Sequence, residues 1–187
     1  MKLKKVNAIL SILSAVTLLI HVGYNTYAYF TQYYNSTLKI LTAIPFIVVV
    51  CLHAVCGICT VFLHDDGTLL DTYKKHNKIT LIQRISAALI FPLLLLHLRA
   101  YTFLDQCASA QNWFLFGAVI FSQIAFFAVI FMHVGVSFSK AFITLGILAD
   151  RNKQKKMDRI VYILSAVIFL IATVAVVRGD LLMFLHV

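Results

Sequence analysis

Apolar residues run almost without interruption over residues 7–30, 40–63, 80–104, 113–147 and 159–180. Polar breaks at Gln32 to Lys39, His64 to Lys78, Asp105 to Asn112 and Asp150 to Asp158 separate them. A helix crosses a membrane with about 20 apolar residues, so the pattern predicts an all-α, five-helix transmembrane bundle. The fourth run would be about 52 Å long at 1.5 Å per residue, against a hydrocarbon core of about 30 Å. Its last turns, Phe142 to Ala149, are therefore expected to project from the membrane beside a basic loop, as a docking surface for a soluble partner. No repeat, low-complexity tract or Pro/Gly/Ser linker interrupts the chain, which reads as one domain over 1–187.

Composition turns this pattern into an exclusion. Of 187 residues, 61% are hydrophobic and 12% charged, which leaves too little polar surface to cover a soluble fold. Five spans leave no room for a separate catalytic domain, so any chemistry lies within the bilayer or is shared with a partner. The net charge of +9 is explained by its distribution. With a cytoplasmic N-terminus, Lys2, Lys4, Lys5, Lys74, Lys75, Lys78, Arg84, Lys140, Arg151, Lys153, Lys155, Lys156 and Arg159 all fall inside, 13 of 16 basic residues. Lys39, Arg99 and Arg178 fall outside. The positive-inside rule thus predicts N-terminus in and C-terminus out, with anionic lipid headgroups as partners and no nucleic acid. Lys2 to Lys5, an apolar stretch and Thr26-Tyr27-Ala28 imitate a signal peptide. The crowding tyrosines and the long apolar run favour a retained first helix.

Seven histidines occur. His64 and His76 fall in the first inner loop and His186 in the outer tail, but His21, His53, His97 and His133 each sit within a different predicted helix. Ionisable groups at that depth are costly and face the bundle interior. One such histidine would be read as packing glue between helices; one in each of four helices points to a shared task. His21 and His97 lie about 14 and 17 residues from the inner ends of their helices, near the outer face at roughly 21–25 Å. His53 and His133 lie about 10 and 7 residues from theirs, at roughly 10–15 Å. Two facing imidazoles on neighbouring helices are the arrangement that holds bis-histidine haem in a bundle. The depths therefore predict two stacked haems, an outer one on His21 and His97 and an inner one on His53 and His133. Gly23, Ala54, Gly57 and Gly135 flank these residues and would let a porphyrin approach, although small residues also serve ordinary helix packing. Cys56-x-x-Cys59, near Cys51, has the spacing of half a zinc or redox site but lies within a span and lacks a second pair. Cys107 is alone on the outer side.

Leu81-Ile82-Gln83-Arg84-Ile85-Ser86-Ala87 followed by Leu96-His97 resembles the start of helix 3 in the dihaem cytochrome b anchors of succinate:quinone oxidoreductases and fumarate reductases, Gln-Arg-(Val/Ile)-(Ser/Thr)-Gly with a later histidine. His53-Ala54-Val55-Cys56-Gly57 resembles that family's His-Ala-x-x-Gly in helix 2, and Phe131-Met132-His133 with Val136 to Lys140 its helix 4. His21 falls where helix 1 supplies the first ligand, so the resemblance covers essentially the whole chain. Ala87 replaces the family glycine, and no Glu occurs anywhere, so the glutamate of some members' helix 4 is Phe131 here.

The resemblance implies a multi-pass subunit of the bacterial inner membrane carrying two b haems. It would be joined on the cytoplasmic face by a flavoprotein and an iron–sulfur subunit, with a dimer of such complexes as a further arrangement. Electrons would pass between the iron–sulfur protein and menaquinone or another membrane quinone. It also implies the same ligand pairing, helix 1 with 3 and helix 2 with 4. For the propionates of the inner haem, Arg84 is the expected partner, with Gln83, Ser86, Ser137 and Lys140 beside it. A snorkelling anchor is the other reading of Arg84. Tyr24, Asn25 and Arg99 are the outer candidates, and Asn25, Tyr101, Asp105 and Gln123 could meet a quinone, or belong to an aromatic and polar interface belt. Two other classes remain open: the anchor of a hydrogenase or formate dehydrogenase, and a histidine-relay proton channel or transporter. Against the second, the chain has few helix breakers, Pro45 and Pro92 being its prolines.

Overall fold

A computed structural model describes residues 2–63 and 74–185, with side chains placed for 3–61 and 78–185. The described residues form five helices and no strand: α1 (Lys2–Thr31), α2 (Ser36–Leu63), α3 (Lys74–Ser109), α4 (Trp113–Thr144) and α5 (Arg151–Leu185). All five are long and apolar enough to cross a membrane. His64 and His186 lie outside the described residues, and His76 is on the first turn of α3 with its side chain outside them.

Several boundaries differ from the hydrophobic pattern, and three of them have a clear local reason. The fourth helix does not project as far as Ala149. It ends at Thr144, where Gly146 takes a left-handed conformation (φ 81°). The amides of Leu145, Gly146 and Ile147 fold back onto the carbonyls of Ala141, Ile143 and Phe142. A glycine in this state just past a helix satisfies carbonyls that would otherwise be orphaned. The expected break at Asp150 to Asp158 is, from Arg151 onward, the first two turns of α5. Asp150 Oδ1 accepts the Lys153 amide at 2.8 Å and caps it. Arg151 to Lys156 contains no helix breaker, so polarity there marks exposure to water and not a loop. Likewise α3 runs past Asp105 to Ser109, and the turn to α4 shrinks to three residues, with Gln111 at φ 50° and Asn112 capping α4 through the Leu115 amide.

The short described turns make α1 and α2, α3 and α4, and α4 and α5 run antiparallel. α4 packs on α1, α3 and α5, α1 also on α2 and α5, and α3 also on α5. Among the described residues, α2 leans on α1 without close packing on any other helix. Burial follows: a third (33%) of the apolar window of α4 is buried and none of α2's. Two apolar clusters hold the bundle. One joins Ala100, Leu104 and Cys107 of α3 to Phe116 of α4 and Phe184 of α5. The other centres on Leu18 of α1 with Phe126 and Ile130 of α4.

Candidate functional site

The four intramembrane histidines lie in two groups. His21 (α1) and His97 (α3) are close enough for their charges to interact, and so are His53 (α2) and His133 (α4). The helices carrying each pair, α1 with α3 and α2 with α4, are not among those packed closely together, so the pairs meet across gaps between helices.

In the first group, the His97 ring stacks on Phe126 at 4.8 Å between centroids and the His21 ring on Phe46 at 5.6 Å. His97 Nδ1 lies 2.6 Å from Oε1 of Gln123, a side chain only 2% exposed. Since Oε1 only accepts, His97 carries its proton on Nδ1 and leaves a lone pair on Nε2. The Asn25 amide donates to the His21 carbonyl at 2.7 Å and lies 3.3 Å from both ring nitrogens. Lys39, at the start of α2, is close enough to act electrostatically on both His21 and His97.

In the second group, His133 Nδ1 faces two acceptors, the Gln83 carbonyl at 3.2 Å and Ser86 Oγ at 3.0 Å. Ser86 is fully buried and donates its own hydroxyl to the same carbonyl at 3.0 Å. The His133 proton is therefore also on Nδ1, with Nε2 free to ligate. Lys140 Nζ donates to Gln83 Oε1 at 2.7 Å and reaches Thr80 Oγ1 at 3.4 Å. The His53 ring lies close to the Asn7 backbone, and its Nδ1 is buried without a partner. Ser137 Oγ is also buried and unpartnered.

The structure thus gathers Gln83, Ser86 and Lys140 around His133, while Arg84 sits on the exposed face of α3. The proposed outer set is dispersed. The Tyr24 hydroxyl donates to the Asn35 carbonyl at 2.7 Å and accepts the Asn35 amide at 2.9 Å, which fastens the turn into α2. Arg99, Tyr101 and Asp105 are exposed on α3, apart from buried Gln123. The flanking glycines divide in the same way. Gly57 faces Asn7, Gly135 takes the Tyr162 ring of α5, and Gly23 meets no atom within 4 Å. Cys56 and Cys59 are free thiols, and among the described residues no group of three or more His, Cys, Asp or Glu side chains is placed to hold a metal ion. A bis-histidine haem asks for two side chains only, because the porphyrin supplies the other donors.

Sequence reasoning missed Gln123 as the partner of His97, the Phe46 and Phe126 stacks, Lys39, and Asp180. Asp180 is 1% exposed in α5 and hydrogen-bonded to Tyr29 of α1, beside Arg178, which donates to the carbonyls of Tyr29 and Phe30. A carboxylate inside an apolar run was the available signal for Asp180. None was available for Gln123, whose role depends on which helix faces it. Compared with protein-family models, curated proteins and solved structures, the chain matches none.

Proposed function

We propose that this chain is the membrane anchor and dihaem electron-transfer subunit of a succinate:quinone oxidoreductase or fumarate reductase, in a bacterial inner membrane with its N-terminus cytoplasmic. The observation that carries the reading is the state of His97 and His133. Each holds its Nδ1 proton against an oxygen, leaves Nε2 unprotonated, and lies within electrostatic reach of a histidine on another helix. Imidazole ligands are oriented and made more basic in this way. A haem bound between each pair supplies reversible one-electron transfer.

In this reading His21 and His97 hold the outer haem, and His53 and His133 the inner one. Lys140, Gln83 and Ser137 provide the polar edge for the inner propionates, and Lys39, beside His21 and His97, joins Tyr24, Asn25 and Arg99 as an outer candidate. Tyr101 and Asp105, one turn apart on the exposed face of α3, are the pair left to meet a lipid-borne quinone. The basic end of the bundle, extended into water by the first turns of α5, is where an iron–sulfur subunit and its flavoprotein would dock.

Purification in mild detergent tests this directly. The expected result is a reduced-minus-oxidised b-type spectrum, two haems per chain, and co-purifying flavin and iron–sulfur subunits. A colourless, folded chain sinks the haem assignment. Two haems with a metal–sulfur dehydrogenase instead would reassign the partner to a hydrogenase or formate dehydrogenase. Gln123→Leu removes the oxygen that holds His97 while preserving bulk. It should weaken retention of the outer haem about 10–100-fold, as loss of such supporting partners does at metal sites, measured as haem per chain during dilution.

A further inference from the structure

We infer that Asn7 is the positioning residue of His53, its side-chain carbonyl receiving the Nδ1 proton when His53 Nε2 faces iron. The inference rests on the haem reading above and deepens it at one residue that the sequence pattern passes over.

Three observations place the two groups together. The His53 ring lies close enough to the Asn7 backbone to interact with it. His53 Nδ1 and Asn7 Oδ1 are both buried and both without a hydrogen-bond partner. Asn7 Oδ1 also lies 3.9 Å from where a Cβ on Gly57 would stand, and Gly57 is four residues beyond His53 on the same face of α2. Two unpartnered buried polar atoms on facing helices each carry a desolvation cost that pairing removes.

The chemistry gives the direction. A histidine on iron must present the Nε2 lone pair to the metal, so its proton moves to Nδ1 and needs an acceptor. His97 has Gln123 Oε1 and His133 has the Gln83 carbonyl. For His53 the unpartnered acceptor at hand is Asn7 Oδ1, and the glycine at 57 leaves it room. Asn7 and Gln123 then do the same work for the two haems, each a side-chain amide on a helix neighbouring its histidine.

The test uses the full complex, with Asn7→Leu, which removes the acceptor, and Asn7→Asp, which strengthens it. Haem per chain and the midpoint potential of each haem are read by optical redox titration. Asn7→Leu should lose the inner haem about 10–100-fold more readily than wild type, or hold it at a raised potential, because a less basic imidazole stabilises ferric iron less. Asn7→Asp should keep the haem and lower its potential, with the outer haem unmoved in both. If Asn7→Leu does not fold, the downward shift in Asn7→Asp decides alone. Unchanged inner potential in a haem-loaded Asn7→Asp protein, or equal haem loss in both variants, overturns the inference. A wild-type complex without haem overturns instead the reading on which it rests, and the inference with it.

Discussion

On the dihaem reading, His133→Ala is expected to halve the reduced b-type absorbance per chain, leaving one of the two proposed haems. The size of this effect follows from the ligand count. Each haem takes two protein ligands, and among the described residues no third His, Cys, Asp or Glu side chain stands with either pair to replace a lost ring. Pairing makes the prediction sharper than simple loss. His53→Ala should give the same half-loss, and the double variant His53→Ala/His133→Ala no more than either alone, because both act on one haem. His97→Ala/His133→Ala should remove all the absorbance. Such non-additivity within a unit and additivity between units is the signature of grouped function. The measurement is haem per chain, with circular dichroism to confirm that the helices remain. Full loss from either single change, or an additive His53/His133 double, would exclude the pairing.

Much of this arrangement was legible in the chain because depth along a helix is simple arithmetic. At 1.5 Å per residue, His21 and His97 had to share one level and His53 and His133 another, and the structure brings the same pairs within electrostatic reach. Azimuth was not legible. Whether a side chain points toward a gap, a neighbour or lipid depends on which helices pack, and hydropathy says little of that when lipid and core are equally apolar. The contacts of Tyr24 and Gln123 were therefore out of reach of the sequence: one fastens the α1–α2 turn and the other holds His97. Helix ends were misjudged for a related reason. Polarity at Arg151 to Asp158 signals contact with water, while the stop and start of helix are set by Gly146 and Asp150.

Gly179→Ala is expected to cost about 2–6 kcal/mol, combining overpacking of about 1–3 with an unpaired buried polar group of about 1–3. A Cβ on Gly179 would run into the face of the Tyr29 ring, at Cδ1 and Cε1. Those atoms belong to the body of a rigid ring and not to a flexible tip, so the ring as a whole must move. The Tyr29 hydroxyl is hydrogen-bonded to Asp180, whose carboxyl is 1% exposed and whose Oδ1 already lacks a partner. Displacing Tyr29 would leave that carboxyl with neither water nor donor, and would pull on the α1 end that Arg178 holds through the Tyr29 and Phe30 carbonyls. The check is thermal unfolding in detergent with a second-site test. Asp180→Leu should recover part of the loss in the Gly179→Ala background, because it removes the stranded carboxyl, while destabilising or leaving unchanged the parent chain. If Gly179→Ala unfolds at the parent temperature, the ring is free to swing aside and α1 and α5 are not locked at this contact. The lock matters for the haem reading because α1 carries both His21 and Asn7, so a loosened α1 should shed haem at both levels before the helices themselves melt.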